Sequence, residues 1–225
     1  MTVGWKPGTF VRSSIFVVVL GSTLVLQSVS ATDVERPGQR QYDFNEHTPS
    51  YDEMVWGMRA YEASMFHAAL AHFKNAARWA DKFAQYNVGA MYLRGEGTDY
   101  DAARGWAWIE LSAERGYPEM VDMSEKLWAM LSEPEQRKAM QIYQDEILPE
   151  YGDHLAIEKT ALRMHRDRRQ ATGSRLGFAS GFLNVYDRSG RPRAGTEFYA
   201  AEKWDFETII SYETQLAFDR VRGRV

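Results

Sequence analysis

From Tyr51 to about Leu148 the apolar and small residues follow a helical pattern. No alternating run lasts long enough to read as a strand, and the breaks are short. Alanine-rich stretches such as "HAALAHFKNAARWA" add helix propensity. The pattern predicts helices near residues 51–62, 66–79, 82–94, 101–115, 118–131 and 133–148. Ser50 with Glu53, and Ser132 with Glu135, have capping-box spacing. Pro134 fits a first helical turn, and "RGYP" sets Gly116 after one helix and Pro118 at the start of the next.

The helices repeat. A shift of 36 residues places Ala69 on Gly105, Ala76 on Ser112, Ala77 on Ala113 and Ala80 on Gly116. The same shift places His72 on Trp108, Ala84 on Met120 and Tyr92 on Trp128. Small residues meet small ones and most large ones meet large ones. A helix pair every 36 residues is the mark of an α-solenoid. Alanine and glycine then let neighbouring backbones approach, and the aromatic positions fill the wider gaps.

These positions resemble Sel1-like repeats, relatives of the tetratricopeptide repeats. Ala84, Val88, Gly89, Tyr92, Gly95, Gly97, Asp101, Trp108, Ala113 and Gly116 stand at matching places. Thr98 replaces a valine, Gly105 and Ser112 replace alanines, Met120 replaces the next alanine, and Ala80 stands where glycine is usual. The likeness runs from about Trp56 to Tyr143. It implies a mainly α fold, a short α-solenoid of Sel1-like helix pairs over residues 49–148. It also implies an adaptor that holds a protein or peptide partner on the concave face, with no cofactor and no metal.

The same motif settles how to read "RGEGTDYD". Its glycines suggest a phosphate cradle, yet the segment follows a helix and has neither phosphate-loop spacing. Glu96, Asp99 and Asp101 would repel an anion. Gly95 or Gly97 is therefore expected at positive φ, ending one helix, and Asp99 or Asp101 is expected to cap the next.

Outside the repeats the chain changes character. Lys6 and Arg12 precede the apolar stretch "IFVVVLGSTLVL", which ends in "QSVSA". This is the pattern of a secretory signal, residues 1–31, cleaved after Ala31 for a periplasmic or secreted destination. Residues 32–48 read as a flexible lead-in. Residues 149–225 read as a further helix plus a small mixed α/β extension. In it, "GFLNVYD", a Ser-Gly-Arg-Pro turn and "TEFYA" suggest paired strands, "KWDFETIISYETQLAF" favours helix weakly, and "DRVRGRV" suggests an edge strand.

Charge and residue types narrow the chemistry. The net charge of −4 becomes −6 once Lys6 and Arg12 leave with the signal, which argues against a nucleic-acid footprint. The absence of cysteine excludes disulfides, thiolate nucleophiles, Cys-rich zinc sites and a lipoprotein anchor. His67 and His72 are five apart and face different ways, and His72, at an aromatic register position, is expected to be half-buried. Trp108 and Trp128 are expected in the core. Trp106 lies off the register and is expected at the surface, where with Arg163 and Arg166 it would contact a partner. Two further classes fit the sequence: an envelope protein that binds peptidoglycan or a membrane enzyme, and a hydrolase using residues of the extension such as His154, Asp187 or Glu197.

Overall fold

The computed structural model describes residues 46–172, 184–186 and 190–223. The expected signal, most of the expected lead-in and Asp187 lie outside the described residues. The fold is mainly α, with a small mixed extension at its C-terminal end.

Four helices form two hairpins: α1 (Tyr51–Glu62) with α2 (Phe66–Ala77), and α3 (Lys82–Arg94) with α4 (Ala102–Ser112). Each hairpin closes over a glycine. A methyl group on Gly57 would lie 2.6 Å from the Phe73 ring, and one on Gly89 would lie 2.8 Å from the Ile109 side chain. Phe73 and Ile109 are 36 residues apart and Gly57 and Gly89 are 32, so the crossings correspond once the turn of the second hairpin, 95–101 against 63–65, is counted as four residues longer. In the second, Gly89 and Gly105 also bring the two backbones together, with the Gly105 carbonyl 2.9 Å from a Gly89 methyl. Helix α2 packs on α3, which joins the hairpins into one body.

The turns are punctuated as the sequence suggests. Gly95 ends α3 at φ 67°, and Gly97 follows at φ 71°. Any side chain on Gly97 would run into the Phe66 carbonyl. The Asp101 carboxylate accepts the Arg104 N–H at 3.0 Å and caps α4. Asp81 caps α3 in the same way, accepting the Ala84 N–H at 2.9 Å. Gly116 takes φ 70°, and its register partner Ala80 takes φ 59° despite its methyl group.

One expected cap does not form. Ser50 makes no side-chain cap; its hydroxyl donates to Thr48, and Glu53 turns away to meet His72 Nδ1 at 2.8 Å. The second box holds: Glu135 accepts the Ser132 N–H at 2.9 Å, at the start of α6 (Glu133–Ile142). Between these, α5 (Pro118–Met130) begins at its proline.

Residues after α6 differ from the single helix expected to reach 148. A π turn over Tyr143–Ile147 leads into α7 (Leu148–Tyr151). Pro149 has no N–H to give and its ring would strike a carbonyl one turn earlier; the wider turn relieves both. The turn also lays Tyr151 against Trp108, ring centres 4.6 Å apart.

Beyond it, α8 (Asp153–Thr172) forms as expected. Strands β1 (Asn184–Tyr186) and β2 (Pro192–Ala194) pair antiparallel. The "TEFYA" segment is helical, not a strand: α9 covers Gly195–Phe198 and leads to a 3₁₀ turn at Ala201–Trp204. The weakly favoured helix is α10 (Phe206–Val221), which also absorbs the start of the expected edge strand. Two apolar clusters result. The larger fills the hairpins and α5–α7. The smaller joins Ala80, Ala156, Met164, Tyr199, Trp204, Phe206 and Ile209, tying α8 and α10 to the turn before α3.

Candidate partner-binding cleft

Helix α10 crosses the molecule where α1, α3 and α5 begin. Between it and those helix starts lies a cleft of about 70 Å³. Its floor carries Trp79, Phe83, Tyr117 and Met120, and its α10 side carries Tyr212, Glu213, Leu216 and Ala217. Register partners meet at this opening: Phe83 and Glu119, like Asp81 and Tyr117, are 36 apart and both line it.

A compact set of charges sits beneath. Lys82, fully buried at 0% side-chain exposure, gives its ammonium three acceptors. These are the Leu111 carbonyl at 3.0 Å, Glu114 at 2.7 Å and Asp153 at 3.0 Å. Three donors are thus matched by three acceptors, which is what makes burial of the ammonium tolerable. Burial still draws its pKa below the ordinary lysine value, because the attraction of Asp153 and Glu114 does not fully compensate.

Arg115 is the hub. It donates to both Asp153 oxygens, at 2.8 and 3.1 Å, and to the Ala80 carbonyl at 2.7 Å. Its remaining nitrogen, Nη1, points to Glu213 at 3.6 Å. Burial pushes the Asp153 carboxyl up, but Arg115 and Lys82 together hold it below the usual range.

Glu213 stands differently. Its carboxylate accepts from the Tyr117 hydroxyl at 3.2 Å. Burial lifts its pKa to about 7; Arg115 opposes the rise, and the Asp81 and Asp153 charges add to it. The Tyr117 phenol is pushed up to about 12, by burial first and then by Glu213. Burial also raises Asp81 against the pull of the Ala84 N–H.

The sequence-derived site residues separate into two groups. Gly89, Tyr92, Gly95, Gly97, Asp101, Trp108, Ala113 and Gly116 all lie in the hairpins and their turns. Tyr92 accepts from Lys74 at 2.9 Å, and Asp101 pairs with Lys138 at 2.8 Å. Trp106 is not at the surface. It is 4% exposed, its indole N–H donates to the Ser124 carbonyl at 3.2 Å, and its ring packs on Trp128 at 4.5 Å. Position off the repeat register misled because α5 packs on the face of α4 that carries Trp106. Arg163 and Arg166 are exposed on α8, and Arg163 pairs with Asp167 at 2.7 Å. Neither touches the cleft under α10. His72 is half-buried, edge-on to Trp56 at 5.8 Å.

His154 is exposed and its neighbour Asp153 is engaged by Arg115 and Lys82. Glu197 faces Arg193 and Lys203 across the hairpin end. The sequence reading missed Lys82, Arg115, Tyr117 and Glu213. Lys82 and Arg115 stand at helix ends, where nothing in the local pattern marks a charge as buried. The one available hint was Tyr117 at the register position of the capping Asp81.

Among the described residues, no group of three or more His, Asp or Glu is placed to hold a metal ion. No helix among them is long and apolar enough to cross a membrane. No protein-family model matches the chain, and no curated protein or solved structure matches it either.

Proposed function

We propose that this chain is an exported, non-enzymatic adaptor that holds a protein or peptide partner on the surface of a short Sel1-like array. The observation that carries the reading is the doubled hairpin, with Gly57 over Phe73 and Gly89 over Ile109. Ala80 and Gly116 add to it, turning the chain at positive φ in the same register. In such arrays the turn and crossing glycines serve the scaffold, and function falls to the surface the stacked pairs present. The cleft over the helix starts is that surface, being apolar in its floor with converging polar groups.

The test is crosslinking in intact cells followed by mass spectrometry. A protein joined to the chain supports the adaptor. Capture of no protein, together with binding of purified peptidoglycan, overturns it. Export has its own check: the mature N-terminus is expected at or near Thr32. An intact Met1 on a cytoplasmic protein would sink that part.

A further inference from the structure

We propose that the cleft under α10 receives an amphipathic helix that presents one carboxyl group between apolar turns, and that α10 sits there as an intramolecular stand-in for it. This rests on the adaptor reading and names the chemistry of its partner. The occupant the chain itself supplies shows what fits. Phe206, Ile209, Glu213, Leu216, Ala217 and Arg220 share one face of α10, at helical spacing. Apolar residues of that face line one opening with Trp79, Phe83 and Met120, and its carboxylate meets the Tyr117 hydroxyl and Arg115 Nη1. Glu119 and Arg220 line the same opening, so a cation two turns after the carboxylate completes the pattern.

The stand-in fits incompletely. Only Phe206 and Ile209 of α10 are fully buried, both in the smaller cluster near its start. Past them Tyr212 is 58% exposed, and open volume remains beside Glu213. A helix that filled this space would bury more apolar surface than α10 does. It must also outcompete a tethered rival at high effective concentration. The second half of α10 can lift while Phe206 and Ile209 stay anchored. The groups facing Glu213 explain the choice of a single carboxylate. Asp81, Glu114 and Asp153 already oppose Lys82 and Arg115, so a second acidic residue there would meet repulsion.

The experiment uses the full chain and a fluorescein-labelled peptide of residues 204–223 as the probe. Anisotropy should show weak binding to the unaltered chain and at least tenfold tighter binding to Ala217→Asp. That substitution loosens the second half of α10 and leaves the smaller cluster intact. A Glu213→Lys peptide should bind Ala217→Asp at least tenfold more weakly than the native peptide. Tyr117→Phe, added to Ala217→Asp, should weaken the native peptide several-fold. Circular dichroism and the thermal midpoint confirm that each variant folds. If Ala217→Asp folds yet binds no tighter than the unaltered chain, or takes the lysine peptide equally well, the proposal is overturned. The adaptor reading fails separately. Crosslinks from a cellular partner that map away from Phe83, Tyr117 and Met120 end the cleft proposal and keep the adaptor. Peptide binding in the cleft with no protein captured in cells does the reverse.

Discussion

Arg115 grips Asp153 with two hydrogen bonds, Nε at 2.8 Å and Nη2 at 3.1 Å, across 38 residues of sequence. Nη2 also reaches the Ala80 carbonyl at 2.7 Å, so one guanidinium fastens the turn before α3 and the start of α8. The arginine is 6% exposed and the aspartate 15%. A fork of this kind is specific to arginine, since an ammonium cannot serve both carboxylate oxygens and a carbonyl in one plane. Breaking a buried pair by removing one charge costs about 3–5 kcal/mol, because the other charge is stranded. Asp153→Asn should therefore lose about 3 kcal/mol, and Arg115→Lys about 2 kcal/mol, in urea unfolding with unchanged slope. A loss under about 0.5 kcal/mol for Asp153→Asn would mean the fork is incidental. The depressed pKa of Asp153 adds a sign. Its contribution is fully present above the ordinary aspartate range and disappears as pH falls through the lowered folded value.

Glu213 runs the other way. Its folded pKa of about 7 lies above its ordinary 4.5. The free helix ionises this carboxyl from 4.5 upward, while the docked helix keeps its proton until about 7. Docking of α10 is thus strongest below pH 4.5, weakens between 4.5 and 7, and is level above. Allowing for water in the cleft, the loss is about 2 kcal/mol. Hydrogen exchange of residues 209–217, corrected for intrinsic rates, should show greater protection at pH 5 than at pH 8. Glu213→Gln should remove the difference. Protection that rises with pH would contradict the environment described for this carboxyl.

Local rules made the hairpins legible. Glycine at the turns, aspartate at the caps and the 36-residue register depend on neighbours within a few turns, and residues such as Gly95 and Asp101 behave as those rules require. The cleft was not legible, because it depends on pairs far apart in sequence. Arg115 and Glu213 are 98 residues apart, and each alone reads as a surface charge on a helix. The π turn was missed because the apolar pattern of 133–148 reads as one helix, and only the wider turn lets the helix continue through Pro149. "TEFYA" carries β-favouring residues, yet Phe198 and Tyr199 serve better as aromatic neighbours of Trp204 in the smaller cluster.

Trp106 gives a direct comparison of the two readings of its position. A surface contact residue replaced by alanine leaves stability nearly unchanged and weakens partner binding. A buried indole packed on Trp128 and bonded to the Ser124 carbonyl behaves otherwise. Trp106→Ala should cost about 3–5 kcal/mol by chemical denaturation. Trp106→Phe should cost less, roughly 1–2 kcal/mol, by losing the indole hydrogen bond and part of the ring contact. A change within experimental error for Trp106→Ala would return the residue to the surface.

The repeated crossing makes a prediction that depends on steric space rather than on charge. Gly89→Ala places a methyl 2.8 Å from Ile109 and 2.9 Å from the Gly105 carbonyl. Alanine favours helix by about 1 kcal/mol over glycine, and overpacking costs about 1–3 kcal/mol, so the crossing wins and the net change is a loss of about 1 kcal/mol. Ile109→Ala removes both Cδ1 and Cγ1, each 2.8 Å from that methyl. The double variant should then be more stable than the sum of the two single changes by at least 0.5 kcal/mol. Gly116→Ala offers the contrast. Nothing lies within 4 Å of its methyl, so its loss, about 1 kcal/mol, comes from the φ of 70° alone and cannot be rescued by trimming a neighbour. Ala80→Gly relieves the same strain but gives up one buried methyl worth about 0.8 kcal/mol, leaving it near neutral. Coupling at Gly89 with none at Gly116 separates the two uses of glycine, close approach inside the hairpin and chirality at its end. Equal coupling at both, or at neither, would remove the steric basis given for the Gly89–Ile109 crossing.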